Sequence, residues 1–235
     1  MKLKILGSGN IFSEDNYASY LIDNKILIDI PSGTCKTLKR LGINSRNIVD
    51  VLITHFHGDH YFDMPFMLLN KIYIDNNKLN IYCDDSGKDK IYDLTKLAFP
   101  NKLDKIYKYF NYDNSKNFCI NDYEIERVLV EHEEGIESNG YIFKQNDIRV
   151  GFSGDAGMCE GIHIMAKKCN HLICDCNALN GKKFHIGVDN IIELSQTYKE
   201  CIFYTTHMGD GVRDKIKSLG IKNLVALNDY DEFSF

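Results

Sequence analysis

The sequence reads as an α/β fold, and its alternation of strands and helices allows a four-layer αββα sandwich in which two mixed β-sheets pack face to face with helices outside. Two observations lead there. Short runs of β-branched and aromatic residues alternate with amphipathic helical stretches along all 235 residues. No linker, repeat or low-complexity segment interrupts the alternation, so residues 1–235 read as a single domain.

Taken in order, residues 2–6 read as a strand closed by the turn Gly7-Ser8-Gly9. Residues 17–22 and 26–30 read as a hairpin around Asn24-Lys25. Residues 35–41 look helical, with Asp29 a candidate cap for that helix. The run 49–53 is a buried strand, and a helix follows from about Met64 to Lys71, with Pro65 in its first turn. Strand 79–83 and helix 88–98 come next, closed by Pro100. Residues 105–112 and 118–131 read as strands rich in Tyr, Phe, Ile and Val. Strand 149–153, helix 160–168, strand 172–177, a helix ending at Tyr198, strand 201–206, helix 211–219 and strand 223–227 follow. The tail to Phe235 would complete a terminal hairpin.

One stretch carries chemistry: Thr54-His55-Phe56-His57-Gly58-Asp59-His60, on the strand-to-helix turn after residues 49–53. His55 and His57 are two apart, so in extended backbone they point the same way. Gly58 permits a change of direction before Asp59 and His60. Two ligand pairs on either side of a turn suit two adjacent metal ions better than one. At this chain's own His and Asp frequencies the pattern H-x-H-x-D-H arises by accident in roughly one chain in a thousand.

HFHGDH after a strand resembles the signature of metallo-β-lactamase-fold hydrolases. Further histidines and aspartates stand at later strand ends, in the order that resemblance implies: His132, Asp155 and His207. His132 is followed by Ser138-Asn139-Gly140-Tyr141, which resembles the RNase Z and phosphodiesterase branch. The resemblance implies a dinuclear site. One ion would take His55, His57 and His132, and the other Asp59, His60 and His207. Asp155 would bridge them, with a hydroxide between. Zinc is the expected metal, and manganese or iron suits the same ligands. Ala156 stands where the family usually has threonine or serine after this aspartate, and the resemblance implies for Asp29 a second possible role, bracing the metal loop by orienting a ligating histidine. His185, between a strand bearing Asp175 and a helix, resembles a histidine that faces the scissile phosphate and protonates the leaving oxygen. Asp59 and His185 are therefore the expected catalytic residues.

Charge narrows the partners. The chain carries 28 basic and 33 acidic residues, a formal −5, which argues against a broad nucleic-acid footprint. Two divalent ions against Asp59, Asp155 and a hydroxide leave the site at about +1, attractive to a small anionic ester. From His132 to Asp155 is only 23 positions, where tRNA-processing members usually insert a projecting arm. The expected activity is therefore a phosphodiesterase on a small phosphodiester, such as a cyclic nucleotide or cyclic ribosyl phosphate, with RNA disfavoured. The alternatives are a zinc hydrolase of a thioester, lactone or carboxylic ester, an RNase Z-like ribonuclease without the arm, and an inactive metal-binding module. A homodimer is compatible with the thin substrate-holding surface. No apolar run has transmembrane length and the start lacks a signal-peptide core, so the expectation is a cytoplasmic protein with no membrane partner. Its eight cysteines should then be reduced. Cys174 and Cys176 read as buried thiols rather than ligands.

Overall fold

The computed structural model describes residues 1–235. The chain forms two units, each built on one seven-stranded sheet, and both sheets are mixed, as the sequence predicts. The first comprises residues 1–7, 17–114 and 230–235, and the second residues 8–16 and 115–229.

In the first unit the strands are β1 (Lys2–Gly7), β2 (Ser19–Ile22), β3 (Ile26–Ile28), β4 (Asp50–Leu52), β5 (Leu79–Tyr82) and β6 (Phe110–Asp113), in that spatial order. The C-terminal strand Glu232–Ser234 pairs antiparallel with β1 on its outer side. β1 to β3 form an antiparallel meander, and β3 to β6 are parallel. The β2–β3 turn has Asp23 and Asn24 at φ 50° and 55°, the left-handed pair of a tight hairpin, one residue earlier than the sequence suggests. Helices α1 (Thr34–Arg40), α2 (Gly58–Tyr61), α3 (Met64–Asn70), α4 (Gly87–Ala98) and α5 (Leu103–Ile106) fill the crossovers. The core gathers Leu27, Val51, Ile53, Met64, Leu68, Ile81 and Ile91, all essentially out of solvent.

In the second unit the strands are β7 (Asn117–Ile120), β8 (Tyr123–Val130), β9 (Ser138–Gln145), β10 (Ile148–Phe152), β11 (His171–Asp175), β12 (Ile202–Thr206) and β13 (Leu224–Ala226). β7 to β10 are antiparallel and β10 to β13 parallel. Helices α6 (Glu160–Lys168), α7 (Val188–Thr197) and α8 (Val212–Leu219) make the crossovers. Ile162, Met165, Leu172, Ile191, Phe203 and Val212 lie at the centre of this core.

Both sheets therefore run through three antiparallel pairs and then three parallel ones, a repeat of topology without a repeat of sequence. Its consequence is functional: the His- and Asp-bearing loops all follow strands that point the same way within their sheet, at carboxyl ends, where α/β sheets place ligands.

Three sequence expectations change. Residues 118–131 are two strands, because Asn121 takes φ 51° and reverses the chain at Asn121-Asp122. Residues 105–112 are not one strand, because the short helix α5 consumes their first part and extension begins only at Phe110. The tail forms no hairpin with residues 223–227. It crosses to β1, aligning Lys2 with Ser234.

Candidate functional site

In the first unit, Asp29 follows β3 and is buried with φ 58°. Its carboxylate accepts three hydrogen bonds, from Thr54 N–H at 2.8 Å, from the Thr54 hydroxyl at 2.8 Å and from His60 Nδ1 at 2.8 Å. The alternative role, capping α1, is taken elsewhere: Asp63 Oδ2 accepts the Cys35 N–H at 2.8 Å. Asp29 thus ties the end of β3 to both ends of the histidine turn.

These bonds settle which ring nitrogens carry lone pairs. The Thr54 hydroxyl spends its one proton on Asp29, so at 3.1 Å from His55 Nδ1 it accepts. His55 is then protonated on Nδ1 and has its lone pair on Nε2, which lies 3.1 Å from His57 Nδ1. His60 likewise donates from Nδ1 to Asp29, which puts its lone pair on Nε2, 3.8 Å from Asp59 Oδ2. Oriented imidazoles with the second nitrogen held by carboxylate or hydroxyl are the usual support of metal-ligating histidines. Imidazole nitrogens facing one another beside a carboxylate are a donor set suited to zinc, manganese or iron.

Backbone geometry serves the same end. His57 has extended backbone, φ −79° and ψ 150°, and Gly58 opens the single-turn helix α2 that carries Asp59 and His60. Phe56 turns inward against Cys83 and Gly87, where an added Cβ would come within 2.6 Å of its ring. His55 and His57 leave one side of the chain and Phe56 the other, as two-residue spacing in extended backbone produces.

In the second unit, His132 follows β8 and donates from Nδ1 to the Phe184 carbonyl at 2.9 Å. Asp155 follows β10, and its Oδ2 lies 3.3 Å from His207 Nε2. His207 follows β12 in left-handed backbone, φ 53°. His185 packs edge-on to His132, ring centroids 4.8 Å apart, and stacks on His207 at 5.5 Å. His132, Asp155 and His185 offer ligand atoms within 4.8 Å of one another, and so do Asp175, His185 and His207.

Asp175 is the residue sequence reasoning underrated. It ends β11 with no solvent exposure. Oδ2 accepts from His185 Nδ1 at 2.8 Å and from Ala156 N–H at 3.2 Å, while Oδ1 lies 3.5 Å from His207 Nδ1. It stands to His185 and His207 as Asp29 stands to His60. Its sequence signal was an aspartate at a strand end ten residues before a histidine. Burial lowers the pKa of His185, but its hydrogen bond to Asp175 and the charges of Asp175 and Asp155 more than reverse this. The net shift is upward, against the opposing influence of His207.

Cys174 and Cys176 are buried, and burial with the neighbouring charge of Asp175 pushes both thiols well above their ordinary pKa. They are packing residues in this chain. His163 and His171 pair with the hydroxyls of Tyr198 at 3.0 Å and Tyr204 at 3.2 Å, away from these groups.

Residues 1–230 match the protein family described as Anti-Pycsar protein Apyc1. The chain belongs to the Apyc1 family. A ribonuclease Z of Thermococcus kodakarensis is 22% identical to this Apyc1-family chain over 303 residues, covering 100% of the chain and 95% of that enzyme. A ribonuclease Z of Pyrococcus furiosus is 30% identical over 154 residues, 63% of the chain and 49% of that enzyme. Among solved structures, a diphosphatase of the PhnP family superposes with a TM-score of 0.75 at 18% identity, covering 100% of this chain and 97% of the other. Human short-form tRNase Z gives 0.74 at 15% identity, covering 100% and 99%. The Apyc1-family chain has the metallo-β-lactamase fold, and its similarity runs to ribonucleases Z in sequence and to a PhnP-family diphosphatase in structure.

Proposed function

We propose that this Apyc1-family chain is a dinuclear metal-dependent phosphodiesterase acting on a small phosphodiester, its two units working as one hydrolase domain. The ligands would be His55, His57 and His132 for one ion and Asp59, His60 and His207 for the other, with Asp155 shared. Bound divalent ions, zinc foremost, supply Lewis acidity and positive charge to an anionic ester.

The observation that carries this reading is the commitment of Nδ1 in His55, His60 and His132 to acceptors within the fold, which leaves Nε2 as the ligating atom in each. Asp29 fixes the orientation of the histidine turn, and Asp175 that of His185. His185, held protonated more readily than an ordinary imidazole, is suited to give a proton to a departing alkoxide oxygen from Nε2 while Asp175 stabilises the cationic ring through Nδ1. The catalytic roles of Asp59 and His185 rest on this proposal.

A small substrate is favoured over tRNA because the segment between His132 and Asp155 is used up by the β9–β10 hairpin, which turns through Asn146 at φ 54° and carries no extension. The similarity to ribonucleases Z and to a diphosphatase supports phosphate-ester chemistry in general.

The test joins metal analysis to a hydrolase panel on one preparation. Tightly held transition ions and turnover of cyclic nucleotides or cyclic ribosyl phosphates are expected. His185→Ala should lower kcat on phosphodiesters by about 10²–10³ with metal content unchanged. Turnover of carboxylic esters alone, surviving that substitution, would overturn the reading. So would salt-sensitive tRNA binding with removal of a 3′ trailer.

A further inference from the structure

Asp29 braces the histidine turn through Thr54 and His60, and it makes no bond to His57. The direction of His57 relative to His55 therefore needs a second support, and the residue between them has one. Phe56 is buried, 8% exposed. Its ring meets Tyr61 edge-on with centroids 5.0 Å apart, and Tyr61 meets Phe62 in the same way at 5.3 Å. The Phe62 ring lies against Gly58, where an added Cβ would come within 2.5 Å of it. Three aromatic rings in series thus run from Phe56 back to Gly58, along the segment that carries His57, Asp59 and His60.

The tip of the Phe56 ring is held by α4. Gly87 is the first residue of that helix and is buried. A Cβ there would stand 2.6 Å from Phe56 Cζ, 2.9 Å from its Cε2 and 2.4 Å from Cys83 Sγ. Gly87 is not in left-handed backbone, so its conformation would accept other residues. What requires glycine is space for the ring and the Cys83 thiol. One helical turn on, Lys90 Nζ lies 4.9 Å from the centroid of the same ring. Residues 87 and 90 share a helix face, so α4 touches the ring at two points. Pressed by α4 and Tyr61, the ring cannot swing away from a larger residue at 87. The displacement would pass into the backbone of Phe56 and so to the histidines on both sides of it.

We propose that Phe56 is a positioning residue for the ion assigned above to His55, His57 and His132, and that position 87 is glycine so that α4 can clamp its ring. This rests on the dinuclear reading and adds to it a residue that binds no ion. Asp59 and His60 follow Gly58, and His60 has its own bond to Asp29. Releasing the clamp should therefore cost one of the two metal positions and spare the other.

Cobalt(II), whose visible absorption reports its ligands, is the probe. Titrated into metal-stripped native protein, it should fill two tight positions. Gly87→Ala should keep one and bind at the other about 10–100-fold more weakly. The spectrum of the ion that remains should match that of His57→Ala and not that of Asp59→Ala. Two double variants separate the clamp from general damage. Gly87→Ala with Phe56→Leu gives the new methyl room at the ring and should regain most of the lost affinity. Gly87→Ala with Cys83→Ala relieves only the contact with the thiol and should not. Phe56→Ala, which adds no bulk, should lose the same position as Gly87→Ala and carries the test if that variant does not fold. Native binding in these single variants, equal weakening at both positions, or equal rescue by the two double variants overturns the inference and leaves the dinuclear reading standing. Native protein that takes up no cobalt sinks the dinuclear reading and the inference with it.

Discussion

Asp29 shows what a single residue contributes. One buried carboxylate accepts from two residues of the loop after β4 and thereby sets the tautomer of His60 directly and that of His55 through the Thr54 hydroxyl. Asp29→Ala should therefore weaken metal binding by about 10–100-fold, read by competition with a chromophoric chelator, while all seven expected ligands remain. Asp50 on β4 provides a test away from the ligands. Burial raises its carboxyl pKa, more than the bonds from Asn80 Nδ2 at 2.9 Å and the Tyr82 hydroxyl at 3.3 Å lower it. The folded chain then binds this proton more tightly than the unfolded chain does. Stability from this group is full below the ordinary carboxylate value and is lost as pH rises through the raised one. Asp50→Asn keeps both hydrogen bonds and should flatten that part of the stability profile, measured by urea unfolding at a series of pH values.

At the scale of elements, the stretch after α3 decides more than its sequence suggests. Residues Lys71–Asp75 form a π-helical turn, and Lys71, expected at the end of an ordinary helix, has no solvent exposure. Its Nζ donates to the Ser45 carbonyl at 2.6 Å and lies 3.1 Å from Asp75 Oδ2. Removing one partner of a buried pair leaves the other charge without compensation, so Lys71→Ala should cost about 3–5 kcal/mol in chemical denaturation. Lys71→Met with Asp75→Asn together should recover part of that loss. A wider π turn has no local marker, since it arises where the chain takes up one extra residue to bring a side chain inward. The division of 118–131 into β7 and β8 does have a local marker, the turn pair Asn121-Asp122 between alternating apolar residues, which the reading of one strand passed over. The helix α8, expected over residues 211–219, buries Val212 and Ile216 four residues apart.

At the scale of the whole chain, the expected dependence is on metal. Ion binding that needs the folded arrangement of His and Asp side chains stabilises the native state by mass action. Treatment with a strong chelator should lower the thermal midpoint, and adding back zinc or manganese should restore it together with phosphodiesterase activity. An unchanged midpoint, with no metal recovered from the protein, would remove the dinuclear proposal.

The histidine turn, the strands that lead into it and the class of fold were written in the amino-acid sequence, because ligand spacing and hydrophobic period are local properties that residues a few positions apart fix between them. The supporting carboxylates were only half visible. Asp29 could be read as a cap or a brace, and Asp175 as one more aspartate ending a strand, since what distinguishes them is a bond to His60 or His185 that forms only once separate segments have folded together. The 83% exposure of Phe12 was invisible for the same reason: exposure belongs to the folded surface, and Asp229 and Arg213, which bond to Ser8 and Asp15 on either side of it, lie some two hundred residues along the chain.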